Sequence, residues 1–271
     1  EPYRRQRQMC IRDRNNGEAE GRQAIANFNV ASYRARYADL RSAFGNNLKA
    51  YYDHYRINGY AEGRVATGST ELQNPTTVYN GVDYKLVYDY NYYINKYPDI
   101  KAAFNGDENA TLRHFVECGM NEGRQGKASF NVAAYRANYA DLRSAFGRNL
   151  KAYYMHYIGS GYREGRKATG NGVLKNPVTV YNGVDYSLVY DYNYYISKYS
   201  DLKAAFYGDD TAALRHFVEC GMNEGRQAKD SFNVKKYKNR YNDLQNAFGN
   251  DLKSYYMHYI GSGYKEGRKG N

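Results

Sequence analysis

The stretch "FNVASYRARYADLRSAFGNNLKAYYDHYRINGYAEGR", residues 28–64, decides the fold because the chain repeats it. Five segments of 37 residues align without a gap: 28–64, 88–124, 130–166, 190–226 and 232–268. Their starts are spaced 60, 42, 60 and 42 residues apart, so two unit types alternate. We call them A (first, third and fifth) and B (second and fourth). A fixed period of this length marks a repeat array, in which each unit buries its apolar face against its neighbours. Residues 17–23, "GEAEGRQ", match the end of a B unit, because B units finish "EGRQ" and A units "EGRV" or "EGRK". Residues 15–27 therefore read as the end of a truncated repeat, and the chain as a piece of a longer array.

Within a unit the apolar spacing is helical. Tyr33, Tyr37, Leu40 and Phe44 fall at i, i+4, i+7 and i+11, which predicts one helix face. Phe28 and Asn29 ahead of them read as a staple residue and an N-cap, and Tyr88-Asp89 and Tyr190-Asp191 take those places in B. Gly45 stops that helix. A second helix carries Tyr52, Tyr55 and Arg56 and ends at Gly59, so each unit is predicted to be an αα-hairpin closed by "EGR". Pro98 replaces Ala, Ser or Asn, and the residue before proline avoids the α region, so the first helix is expected to split there. The linkers 65–87 and 167–189 both contain "VYNGVDY", in which Asn-Gly between β-prone runs predicts a hairpin with a type I′ turn. The predicted fold class is mainly α: a tandem array of αα-hairpin repeats with small inserted β-hairpins, extended rather than built on a single globular core.

Composition says what fills such units. The 271 residues hold 34 Tyr and 10 Phe, no Trp, and few Leu, Ile or Val, so aromatics must supply the core. The formal net charge is +11, which favours anionic partners but specifies no fold. No run of 18 apolar residues exists to span a membrane. Residues 1–14, "EPYRRQRQMCIRDR", match nothing downstream and resemble a translated sequencing-adapter remnant, as found in metagenomic genes; they are set aside from fold reasoning.

The segment "YPDIKAAFNGDENATLRHFVECGMNEGRQ", residues 97–125, resembles tandem modules of the form Tyr-Pro-Asp-Leu…Ala-Phe-Gly…His-Phe…Gly…Glu-Gly-Arg. These occur in secreted and wall-attached proteins of Gram-positive bacteria, often beside enzymes or adhesive domains. The resemblance covers nearly everything after residue 15 and implies an extracellular or cell-surface location. The A units depart from it, with Ala or Asn in place of the proline.

Repetition also sorts scaffold from site, because chemistry does not need five copies. Tyr33, Tyr93, Tyr135, Tyr195 and Tyr237 recur at one offset, as do Tyr37, Tyr97, Tyr139, Tyr199 and Tyr241, and Phe44, Phe104, Phe146, Phe206 and Phe248. These read as core. His54, His114, His156, His216 and His258 also recur, and like histidines on stacked helices sit too far apart to share one metal ion. Asp39, Asp99, Asp141, Asp201 and Asp243 recur together with Glu62/Arg64, Glu122/Arg124, Glu164/Arg166, Glu224/Arg226 and Glu266/Arg268. They read as an Asp–Arg or Glu–His–Arg network locking the closing turn to the first helix rather than as catalytic carboxylate pairs. Cys118 and Cys220 read as free thiols at a helix end. "FNGDENAT" and "FYGDDTAA" lack the ligand spacing of a calcium loop and fit helix starts better.

No nucleophile elbow, phosphate loop, zinc-hydrolase motif or dinucleotide fingerprint is present, so no catalytic residue, cofactor or metal is assigned. The expected function is a non-catalytic spacer and multivalent binding module for a wall polymer, a glycan or a host protein such as immunoglobulin. Candidate contacts are tyrosines that differ between unit types: Tyr90, Tyr92, Tyr192, Tyr194, Tyr51, Tyr153 and Tyr255. Two rivals stand beside it. Basic residues interleaved with aromatics suit nucleic acid, although Asp and Glu are spread through the same units. The other rival is an accessory region of a secreted hydrolase.

Overall fold

Each unit opens on a side-chain cap. Asn29, Asp89, Asn131, Asp191 and Asn233 accept the backbone amide three residues on, at 2.9–3.1 Å. The structure, a computed structural model, describes residues 16–104 and 106–271; the adapter-like segment 1–14 lies outside the described residues. Two compact bodies divide the chain, 1–128 holding units A1 and B1 and 129–271 holding A2, B2 and A3. The fold is mainly helical.

Every unit contains three seven-residue helices, not two longer ones. A1 has α1 (Val30–Arg36), α2 (Ala38–Phe44) and α3 (Leu48–His54); B1 has α4 (Tyr90–Lys96), α5 (Pro98–Phe104) and α6 (Glu108–His114). A2 has α7 (Val132–Asn138), α8 (Ala140–Phe146) and α9 (Leu150–His156). B2 has α10 (Tyr192–Lys198), α11 (Ser200–Phe206) and α12 (Asp210–His216), and A3 has α13 (Val234–Arg240), α14 (Asn242–Phe248) and α15 (Leu252–His258). The break expected only at Pro98 is present in all five units. Tyr37, Tyr97, Tyr139, Tyr199 and Tyr241 take extended backbone angles between the first two helices. The break aims the tyrosine at the closing turn: the Tyr37, Tyr97, Tyr139 and Tyr241 hydroxyls accept the amides of Val65, Gln125, Lys167 and Lys269 at 2.6–2.8 Å.

The third helix runs into one π turn in every unit, Tyr55–Gly59, Phe115–Gly119, Tyr157–Gly161, Phe217–Gly221 and Tyr259–Gly263. The turn seats its last glycine on the core. Tyr33, Tyr93, Tyr135, Tyr195 and Tyr237 share hydrogen bonds of 2.9–3.3 Å with Nδ1 of His54, His114, His156, His216 and His258. A Cβ at Gly59, Gly119, Gly161, Gly221 or Gly263 would collide with that hydroxyl.

The Asn-Gly motifs form the expected hairpins. β1 (Val78–Tyr79) pairs antiparallel with β2 (Val82–Asp83), and β3 (Val180–Tyr181) with β4 (Val184–Asp185). Asn80 and Gly81 have φ of 49° and 78°, and Asn182 and Gly183 the same, which is the left-handed pair a type I′ turn requires. After each hairpin Tyr84 and Val87, or Tyr186 and Val189, enter the core. The backbone turn at 16–22 bonds Glu20 N to Asn16 O and Arg22 N to Gly17 O, the pattern that Glu122 and Arg124 make with Cys118 and Gly119.

A buried arginine ties A to the linker and to B. Arg143 is 6% exposed; it donates to Asp210 at 3.2 Å, to the carbonyls of Arg136 and Ala137 on α7, and to those of Lys175 and Asn176 in the linker. Arg41 does the same in A1, with Glu108 at 2.7 Å and the carbonyls of Arg34, Ala35, Gln73 and Asn74. The guanidinium thus satisfies carbonyls freed by the helix break, and the acid neutralises it away from water. In A3 the place is held by Gln245, which reaches Lys238 O at 2.8 Å. Between B2 and A3, Tyr256 stands edge-on to Phe217 with ring centroids 5.6 Å apart and donates its hydroxyl to the Arg226 carbonyl at 2.9 Å. No helix among the described residues is long and apolar enough to cross a membrane.

Two substitution pairs test this reading by urea unfolding. Gly161→Ala forces a methyl into the Tyr135 hydroxyl and is expected to destabilise by about 1–3 kcal/mol, as overpacking does. Gly159→Ala, on the same turn with nothing within 4 Å of its Cβ, is expected to be neutral or slightly stabilising. Arg143→Ala strands a buried aspartate and is expected to cost about 3–5 kcal/mol. Lys203→Ala, the exposed residue at the same offset in B2, is expected to stay within about 0.5 kcal/mol. Equal losses within either pair would refute the assignment.

Candidate functional site

Five of the seven tyrosines proposed as ligand contacts lie inside the fold. Tyr51, Tyr153 and Tyr255 are fully buried, and each hydroxyl donates to the carbonyl of Gly45, Gly147 or Gly249 at 2.9 Å. The carbonyl belongs to the glycine that ends the second helix, so the tyrosine locks the helix–helix corner. B units carry Thr111 and Ala213 there and close the corner from another position. Tyr90 and Tyr192 are also buried, and their hydroxyls accept the amides of Gly106 and Gly208 at 3.0 and 2.5 Å. These five positions vary because A and B close the same corner differently, not because they face a ligand.

Tyr92 and Tyr194 do reach the surface, half-buried. Lys96 and Lys198 lie over their rings at 5.2 and 5.1 Å, donate to their hydroxyls at 3.0 and 2.9 Å, and reach Gln125 and Gln227. Each is a short cationic–aromatic ledge on a B unit.

The most exposed tyrosines of the A units are not among the seven. Tyr60, Tyr162 and Tyr264 are 72%, 57% and 56% exposed and sit at one offset of the closing turn. B units carry Met120 and Met222 there, both fully buried. The signal was available: Tyr in every A unit against Met in every B unit is the type-specific contrast that marked the other candidates. Each exposed ring stands edge-on to an inner one: Tyr55–Tyr60, Tyr157–Tyr162 and Tyr259–Tyr264, with centroids 6.2, 6.0 and 5.9 Å apart. The inner ring packs on Phe28, Phe130 or Phe232 at 4.6–4.8 Å. A row of three rings therefore leads from the core to solvent, the outer ring resting on the inner tyrosine and that on the phenylalanine. In A1 the row borders a groove of about 390 Å³ with Ile25, Tyr52 and Arg56 on its rim. Ile25 and Ile57 are also exposed.

The recurrent polar residues form scaffold geometry. Arg64, Arg124, Arg166, Arg226 and Arg268 bridge Asp39, Asp99, Asp141, Asp201 and Asp243 at 2.7–2.8 Å. They also bond Glu62, Glu122, Glu164, Glu224 and Glu266. Each guanidinium lies 4.8–5.0 Å from the ring of the tyrosine at the helix break. The glutamate meets the arginine directly, and each histidine bonds the inner tyrosine through Nδ1. The Arg226 hydrogen bond holds Asp201 below the usual carboxylate range, against a smaller desolvation effect. Cys118 and Cys220 are free and exposed on their π turns. Asp107 and Asp209 in the acidic loops are N-caps, accepting from Ala110 and Ala212. Among the described residues no three His, Cys, Asp or Glu side chains gather to hold a metal ion.

Comparison with known proteins found no matching family model, no matching curated protein and no matching solved structure.

Burial of so many phenols sets an alkaline limit. Burial pushes Tyr33 up from 10.0 to about 12, against the nearby charge of Arg64. It pushes Tyr192 from 10.0 to about 12 against the Gly208 amide bond. Both hold their proton more tightly folded than unfolded. Their contribution is complete below pH 10 and is lost as pH rises through 10 toward 12. The urea midpoint is expected to fall across that window, with the last tyrosinate absorbance appearing as the helical signal is lost. Full tyrosinate formation with the helices intact would contradict the buried assignment.

Proposed function

We propose that the chain is a non-catalytic repeat region that serves as a spacer and a multivalent binding module for a glycan polymer, in a secreted or surface-attached protein. The observation that carries the reading is the exposed tyrosine on every A unit, backed by two inner rings. A ring fixed in place offers large contact area at little entropy cost on binding, and its flat apolar face suits the C–H face of a sugar. The resemblance to wall-associated modules of Gram-positive bacteria supports the same location. The five-fold Asp–Arg–Glu and Tyr–His sets support a non-catalytic role, since each is consumed in holding its own unit together.

A polymer that repeats the same sugar can engage several A units at once. Linked sites of this kind gain about 10²–10⁴ in avidity when the spacing fits. The triple variant Tyr60→Ser, Tyr162→Ser, Tyr264→Ser is expected to lose binding to immobilised wall polysaccharide or mucin with its helical spectrum unchanged, and each single variant to lose only part. Binding is expected to change little with salt, whereas nucleic-acid binding would fall steeply. Immunoglobulin on a parallel surface separates the host-protein reading. Undiminished polysaccharide binding by the triple variant would sink the proposal.

A further inference from the structure

Arg136 is the anomaly of the second body. It is 9% exposed, its Nε has no hydrogen-bond partner, and no carboxylate pairs with it among the described residues. Its guanidinium lies beside the Tyr153 hydroxyl and packs flat on Gly208, where a Cβ would stand 2.8 Å from Nη1. A buried cation without an anion is costly unless a ligand supplies the charge.

In the first body Arg34 leaves the same Nε unpartnered but finds acceptors for the rest of its guanidinium. Arg34 donates to Asn46 Oδ1 at 2.5 Å and to the Gly106 carbonyl. In A2 the place of Asn46 is taken by Arg148, which turns instead to Asp209 at 2.8 Å and the Ala205 carbonyl at 2.7 Å. One substitution thus removes the acceptor and adds a cation. Beside Arg136 opens a cleft of about 490 Å³, which Arg143, Ser144, Thr211 and Arg215 also line. Its two acids are already engaged. Asp210 Oδ2 accepts from Arg143 and from the Val178 amide, and Asp209 from Arg148 and the Ala212 amide. Arg136, Arg143, Arg148 and Arg215 against Asp209 and Asp210 leave two positive charges in excess (four minus two).

We propose that this cleft binds a tetrahedral oxyanion, a phosphate or sulfate group carried on a larger ligand. The donors available to it are the guanidinium of Arg136 on α7, which meets the Tyr153 hydroxyl and leaves Nε unpaired, that of Arg215 on α12, and the hydroxyls of Ser144 on α8 and Thr211 on α12. Donors arriving from three elements match a tetrahedral group with several oxygens better than a planar carboxylate, which a single guanidinium fork already saturates. The volume leaves room for what the group is attached to. None of the exposed tyrosines of the closing turns lines the cleft, and the proposal does not rest on the glycan reading.

The test is calorimetric titration of the full chain with inorganic phosphate, sulfate and acetate. Saturable binding of phosphate or sulfate is expected, with acetate weaker, and the tighter of the two names the ester. Arg136→Gln and Arg215→Gln are each expected to weaken it at least about tenfold, the loss of one charge-assisted hydrogen bond. Arg215 is exposed, so its variant keeps the fold even if Arg136→Gln does not. Arg148→Asn is expected to weaken binding too, by giving Arg136 the acceptor that Arg34 has. Arg113→Gln, at the place of Arg215 in the first body, and the triple tyrosine variant are expected to bind as the parent does. Only linear, non-saturating uptake, equal affinity for acetate, or undiminished binding by Arg215→Gln would overturn the proposal.

Discussion

Each repeat closes around one hydrogen bond, between a buried tyrosine hydroxyl and the Nδ1 of a histidine 21 residues on. A core written in tyrosine has to place a hydroxyl for nearly every ring it buries, because an unpaired one forfeits the hydration it had in water. The histidine solves this for the central ring. The π turn follows from it: widening the helix by one residue brings a glycine over the hydroxyl where any side chain would collide. The helix break at the preceding tyrosine follows as well, since it frees that ring to meet the arginine and the amide of the closing turn.

Around this common nucleus the two unit types solve the remaining polar problems differently. A units lock the corner after the second helix with a tyrosine hydroxyl on a glycine carbonyl, and B units with a hydroxyl accepting a glycine amide. A1 and A2 carry the buried arginine that reads the broken helix, the linker and the acid of the following B unit in one stroke. B units close on a buried methionine, A units on an exposed tyrosine. At their first position B units place Tyr88 and Tyr190 where A units have phenylalanine, and those hydroxyls have no partner. The alternation is thus a division of labour in packing as much as in binding.

That division explains what the sequence disclosed. The repeat boundaries, the caps at Asn29 and Asp89 and the Asn-Gly hairpins were legible because each rests on contacts within a few residues. The break at Tyr37 was not, because its cause is a contact 28 residues away. Recurrence found the Asp–Arg bridges and the central tyrosines. Its converse, that non-recurring tyrosines face a ligand, failed for Tyr51, Tyr90, Tyr153, Tyr192 and Tyr255. A position can differ between unit types because its hydrogen-bond partner does, and the partners here are backbone atoms of glycines that no side-chain pattern reveals.

A finer contrast survives that failure, between copies of one type. Scaffold constraints on A1 and A2 are nearly identical, so a difference at one offset that disturbs a buried partner is not absorbed by packing. Asn46 and Arg148 differ in this way. Both reach the aspartate that caps the third helix of the next unit, Asp107 at 3.2 Å and Asp209 at 2.8 Å. Asn46, having an acceptor as well as donors, also serves Arg34, while Arg148 has donors only. The structural contact is preserved and the electrostatic one is not. In a repeat protein the charge left behind by such an exchange is where a copy has room to acquire a ligand of its own.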